Sequence, residues 1–194
     1  MSKLDKPERI RLTALKLFVA YGFHGTPTSR IASEAGVSNG TLFHYFKTKD
    51  DLVVALYTAI KEELNQYLAE KISETTVLKE KFRNLFRYSL EWAMENRDAF
   101  YFIQQFHFSP HLGLVPDGAI RKQSEMHRTL FQDAWDAEVL KPLPLDLLIM
   151  LSVNQINGFF QYMTAQTVPV ENQQQRIDAV FELTWTMIAN PENP

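Results

Sequence analysis

The stretch TSRIASEAGVSNGTLFHYF, residues 28–46, concentrates the side chains best suited to recognition chemistry. Asn39, Gly40, Thr41, Phe43 and His44 fall where a short helix would leave an amide, a bare backbone, a hydroxyl and two rings facing outward. Such a face at a helix N-terminus suits contact with phosphates and base edges. From Ser38 to Phe46 the helix would span about 13 Å, close to the roughly 12 Å width of a B-DNA major groove.

The neighbouring residues specify how that face is held. Ile31 and Ala32 share one side of a preceding helix, and Ala32 is small enough for a second helix to cross closely. Gly36 can take φ > 0 and stop the first helix, and Val37 fills the elbow with an apolar side chain. The Ser38 hydroxyl is placed to cap the next helix, whose Leu42, Tyr45 and Phe46 recur as an inward stripe. Upstream, Asp5 with Glu8 forms a capping pattern, and Ile10, Ala14, Leu17, Phe18 and Tyr21 make one apolar stripe until Gly22, predicting a helix over 6–21. Thr26 followed by Pro27 reads as the cap and first turn of the second helix, with the motif covering about 27–46. Thr48 and Asp51 repeat the capping pattern, and Leu52, Leu56, Ile60, Leu64 and Leu68 then continue a long fourth helix.

Bulk properties agree with this division. Residues 1–50 hold eight Lys and Arg against four Asp and Glu, whereas the remainder holds twelve against nineteen, so a net charge of −3 hides a basic N-terminal quarter suited to a polyanion. The 194 residues contain no cysteine, which removes disulfides, thiolate zinc sites and cysteine nucleophiles and agrees with a reducing, cytoplasmic setting. The longest aliphatic run, Leu147 to Leu151, is far below the roughly 20 residues of a membrane span, and the first residues lack the apolar core of a signal peptide, so no membrane partner is expected.

Beyond residue 77 the segments are amphipathic and rich in aromatic residues, predicting helices near 77–95, 98–108, 118–140, 144–166 and 171–189. The breaks fall at Asn96, Ser109–Pro116, Pro142–Pro144 and Thr167–Val170. The fold class is all-α, with about nine helices. The last two helices are apolar around much of their circumference, which suits either a second buried face against another subunit or a central core position. Gly158 inside a helix suggests a close helix approach. His107 and His111 are four apart, but Pro110 between them breaks the helix a metal pair would need, and no metal is expected. Nothing resembles a nucleophile–base pair, a phosphate-cradling loop or a carboxylate pair, so neither an enzyme nor a cofactor is expected.

The ordered set ALKLF, YGFHGTPTSRIASEAGVSNGTLFHYF and KTKDDLV, over residues 14–53, resembles the TetR family of bacterial transcriptional regulators. The resemblance implies a DNA-binding domain over 1–50 and a ligand-binding and dimerisation domain over 51–194. It implies a ligand-responsive repressor, a homodimer on a pseudo-palindromic double-stranded DNA operator, released by a small-molecule effector. Carried over by position, it assigns DNA contacts to Thr28, Ser38, Asn39, Gly40, Thr41, Phe43, His44, Tyr45, Lys47 and Lys49. Thr28, Tyr45, Lys47 and Lys49 suit phosphates, Asn39 and Thr41 suit bases, and Gly40 lets backbone approach closely. Asn39 departs from the basic residue many members carry, and Phe43 and His44 depart from a commoner tyrosine pattern, which implies a shallower salt dependence.

For the effector, Phe82, Phe86, Trp92, Phe102, Phe106, Trp135, Asn154, Gln155 and Phe159 are candidate pocket residues, the aromatics equally suiting a plain core. Leu151, Phe159, Met163, Ile177, Phe181, Trp185 and Ile188 are the candidate dimer interface. Two alternatives stand beside this reading. One is a helical small-molecule carrier or enzyme with a vestigial helix-turn-helix, and the other is a regulator without a small-molecule effector.

Overall fold

Asp5 opens the first helix by accepting the Glu8 N–H at 2.9 Å, and α1 runs Lys6–Tyr21 until Gly22 leaves it at φ 71°. The computed structural model describes residues 5–166 and 170–193, with side chains at all of these except 117, 119–123, 170 and 171. Among the described residues the elements are helical: α1, α2 (Thr28–Glu34), α3 (Asn39–Tyr45), α4 (Lys49–Ile72), α5 (Leu78–Glu95), α6 (Arg97–His107), a 3-10 turn (Pro110–Leu114), α7 (Asp117–Asp136), α8 (Leu145–Ala165) and α9 (Val170–Ile188). No helix among them is long and apolar enough to cross a membrane. The break expected at Thr167–Val170 falls on residues 167–169, outside the described residues.

The chain forms two compact units, one of Met1–Glu63 with Asn96–Ile120 and the other of Leu64–Glu95 with Arg121–Pro194. Besides the 1–50 read as a DNA-binding domain, the first unit holds the start of α4 and all of α6. The reason is aromatic packing: Phe102, fully buried, sits 6.2 Å from Phe18 and 5.6 Å from Phe23, and Phe18 and Phe23 are 5.4 Å apart. Three large rings at this spacing gain both area burial and edge-to-face contact. Ile10, Ala14, Ile31, Ala32, Leu42, Leu52 and Val53 complete the core beneath α1–α4.

Thr26 differs from its expected role. Pro27 caps α2 without a side-chain bond, while the buried Thr26 hydroxyl contacts the carbonyl oxygens of Leu17 at 3.1 Å and Gly22 at 2.8 Å. It ties the α1–α2 loop to the last turn of α1.

The second unit packs α5, α7, α8 and α9 around Phe82, Phe86, Phe131, Phe160, Phe181 and Trp185. Phe82 stands 4.8 Å from Phe131 and 5.4 Å from Trp185, and Phe86 stands 6.0 Å from Phe181. α7 ends at Asp136, short of the expected 140, because Glu138 turns to φ 57° and the Val139 N–H folds back to the Ala134 carbonyl at 3.0 Å. Leu140 then pairs with Ala189 in an isolated antiparallel bridge, and the Lys141 ammonium donates to the Thr186 and Met187 carbonyls at the end of α9. Gly158 is exposed, and a Cβ added there would meet nothing within 4 Å, so it marks no close helix approach among the described residues.

Candidate nucleic-acid interface

The turn before α3 is built as its residue types demand. Gly36 takes φ 65°, its N–H donates to Ser33 at 3.1 Å, and the Val37 N–H donates to the Ala32 carbonyl at 3.0 Å. Only glycine takes this left-handed conformation without a steric cost. Ser38 caps α3, its Oγ accepting the Thr41 N–H at 3.1 Å and lying 2.9 Å from Thr41 Oγ1. Leu42 is fully buried and Phe46 is 8% exposed, so these two residues anchor the helix.

The opposite face is open to solvent. Asn39, Gly40 and His44 are exposed, Phe43 is 41% exposed and Thr41 is half-buried. Tyr45 corrects the expected inward stripe: its ring is 43% exposed and meets His44 edge-on at 5.2 Å. Lys47 is exposed, Lys49 is half-buried at the first position of α4, and Thr28 is half-buried at the first position of α2. Between the two lysines the capping box closes in both directions, Thr48 Oγ1 accepting the Asp51 N–H at 3.0 Å and Asp51 Oδ2 accepting the Thr48 N–H at 2.9 Å. One short helix and two helix starts thus present hydroxyl, amide, aromatic and ammonium groups together, a set that can bond phosphates and base edges.

Family profiles match both parts of the chain: "Bacterial regulatory proteins, tetR family" over residues 10–56, and "Tetracyclin repressor-like, C-terminal domain" over residues 57–190. The chain belongs to the TetR family. This TetR-family transcriptional regulator is 32% identical to a TetR-family transcription regulator from Shewanella sp. PV-4 of known crystal structure, covering 96% of this chain and 100% of that one at a TM-score of 0.87. A "Fatty acid metabolism regulator protein" of Bacillus subtilis (strain 168) is 33% identical over 84 residues, which is 41% of this chain and 42% of that protein's length. The fatty acid degradation regulator FadR from Bacillus halodurans shares the fold, with 17% identity, 95% and 97% coverage and a TM-score of 0.73.

The residues expected to line an effector pocket are dispersed. Phe82 and Phe86 line a cavity of about 20 Å³ in the second unit, with Leu85, Phe131, Ser152, Ile156, Phe181, Thr184, Trp185 and Ile188. Trp92 is buried in the same unit, whereas Phe102 and Phe106 belong to the core of the first. Trp135 is 42% exposed with its indole N–H donated to the Leu143 carbonyl, Asn154 is exposed and donates to the Met150 carbonyl, and Gln155 is exposed. Phe159 lines a shallow groove with Tyr162, Arg176, Ala179 and Val180.

The expected dimer residues also differ in placement. Phe159, Met163, Ile177, Phe181, Trp185 and Ile188 are all buried by their own unit, and Leu151 is half-buried. The outward apolar side chains of α8 and α9 are Met150, Val153, Tyr162 and Leu183, the last 72% exposed. The sequence spacing shows two apolar faces on each helix without telling which one the chain itself covers.

Two polar arrangements in the first unit were not anticipated. His111 is buried, with Nε2 3.2 Å from Asp50 Oδ1 and Nδ1 3.3 Å from Ser109 Oγ, and its ring lies 4.8 Å from Phe23. His107 Nε2 lies 3.3 Å from the Tyr57 hydroxyl, and Tyr57 stacks on Phe106 with centroids 3.9 Å apart. The two histidines therefore turn to different partners, and among the described residues no three His, Asp or Glu side chains cluster for a metal. Burial pushes the Tyr57 phenol up to about 12, and it lowers the Lys61 ammonium one turn further along α4. His107 is exposed as a whole, but desolvation of its ring against Tyr57 first, and then the Lys61 charge, lowers its imidazole. The sequence signal was Tyr57 and Lys61 at an i, i+4 interval on an otherwise aliphatic helix face.

Proposed function

We propose that this TetR-family regulator is a repressor that binds a pseudo-palindromic operator as a homodimer and leaves it when a small apolar or amphiphilic effector binds. The carrying observation is the exposed polar face of α3, held by buried Leu42 and Phe46 and capped by Ser38. Asn39 and Thr41 contact bases, Thr28, Tyr45, Lys47 and Lys49 contact phosphates, and Ser38, Gly40, Phe43 and His44 complete the contact surface. Two copies associate through the outer faces of α8 and α9, where Met150, Val153, Tyr162 and Leu183 are exposed.

The effector reading is supported by the aromatic core of the second unit. Its cavity holds only about 20 Å³, whereas small-molecule sites enclose roughly 300–1,000 Å³. A ligand entering there must part the surrounding helices, so it binds one arrangement and not the other, which is what a change of operator affinity requires. A coupling of roughly 1–3 kcal/mol changes that affinity by about 5- to 150-fold.

Selection of genomic fragments with the purified protein, followed by footprinting and a compound screen for release, tests the whole reading. The expected result is a two-fold symmetric footprint bound by a dimer and released by at least one small molecule. Binding no tighter than to random duplex, or a monomer on an asymmetric footprint, would overturn it.

A further inference from the structure

We propose that Tyr57, Lys61 and His107 form an anion-binding site in the first unit, and that it takes the carboxylate of a monoanionic small molecule. It goes beyond the reading above, which is supported by the aromatic core of the second unit, by adding a separate anion site in the first unit.

The geometry begins with what Lys61 lacks. Arg11, Arg30, Lys71, Lys79, Arg83 and Arg87 each pair with a glutamate, whereas among the described residues no carboxylate lies within ion-pair distance of Lys61. Lys61 is nevertheless half-buried, while the next two residues, Glu62 and Glu63, are exposed. A partly desolvated ammonium without a counter-charge is costly, and an incoming anion relieves that cost.

The groups beside it are donors. Tyr57 is buried and fixed by its stack on Phe106, and its hydroxyl faces His107 Nε2 at 3.3 Å. With the imidazole proton on Nδ1, the phenol donates to that nitrogen. If the imidazole proton moves to Nε2, the imidazole donates to the phenol oxygen and the phenolic O–H is free to turn to a carboxylate, with no heavy atom displaced. One cation and one neutral O–H donor, the latter backed by the imidazole, balance a single negative charge, which favours a carboxylate over a dianionic phosphate. A ligand held between α4 and α6 acts directly on the helix whose first residue is Lys49.

The test uses the full chain with decanoate and benzoate as probes, against decanol and benzyl alcohol as neutral counterparts, by titration calorimetry. At least one carboxylate should bind saturably and its alcohol about tenfold more weakly or worse. Lys61→Met, which keeps the stem, should lose about tenfold or more of that affinity, and Lys61→Arg should retain most of it. The His107 ring resonances should move on saturation in the wild type and stay still in Lys61→Met. No binding by either acid, equal binding of acid and alcohol, or undiminished binding by a folded Lys61→Met variant would overturn the site. Release of the selected operator by a neutral compound, with no carboxylate bound, would keep the effector reading and sink this one.

Discussion

Lys47→Ala probes directly where the phosphates run. Lys47 is exposed in the turn between α3 and α4 and makes no ion pair among the described residues, so its loss removes charge while leaving buried Phe46 and the Thr48–Asp51 box in place. Each phosphate contact contributes about 0.9 to the slope of log affinity against log salt, so a dimer losing one contact in each half-site should lose about 1.8 from that slope. Raising salt from about 50 to about 200 mM should then cost the wild type about twelvefold more affinity than the variant. Fluorescence anisotropy on operator and random duplex, each across a salt series, reads this directly. Phosphate contacts carry no base information, so both duplexes should respond alike. Equal slopes for variant and wild type, or a loss confined to the operator, would refute the placement of Lys47 beside the backbone.

Three further outcomes follow from the first unit. Thr26→Val removes the hydroxyl bonded to Leu17 and Gly22 at nearly constant volume and should cost about 1–2 kcal/mol in urea denaturation, with a loss below about half a kcal/mol counting against the role given to it. Gly36→Ala should cost about 1–2 kcal/mol through φ 65° alone, because the nearest atom to an added Cβ is Arg9 Nη1 at 3.9 Å, and duplex affinity should fall with it; an equally stable variant would show that the turn relaxes. His107 sits below its ordinary pKa through desolvation of its ring and then the Lys61 charge, so the folded state binds that proton less readily than the unfolded chain. Its stabilising contribution is complete above about pH 6.5 and is lost as pH falls below that value. The wild type should therefore lose more stability than His107→Gln between about pH 7.5 and pH 5, and parallel losses would disprove the shift.

Features that close within a few residues were legible in the sequence. The Asp5 cap, the stop at Gly22, the left-handed Gly36, the Ser38 cap and the reciprocal Thr48–Asp51 pair all arise where expected. Each satisfies local backbone groups through side-chain or backbone partners at most five residues away, so residue type and spacing suffice. Tyr45 lies outside the inward stripe because the chain leaves the helix at Phe46, φ −129°, and it is the Phe46 ring, not the Tyr45 ring, that turns into the core. Thr26 was misread because a hydroxyl before a proline suits a cap, while its actual partner, the Leu17 carbonyl, lies nine residues back.

The amino-acid order by itself thus determined the all-helical class, the helix-turn-helix and the polar face of α3, since hydrogen bonds and apolar periodicity there act over one or two turns. Only the tertiary structure decided that α6 joins the N-terminal unit, that Phe181, Trp185 and Ile188 are covered by their own chain, and that His107 meets Tyr57 across 50 positions. The physical reason is that a helix apolar on several sides carries no local instruction about which side is covered. That choice is made by the volumes and ring contacts of residues far away in the chain.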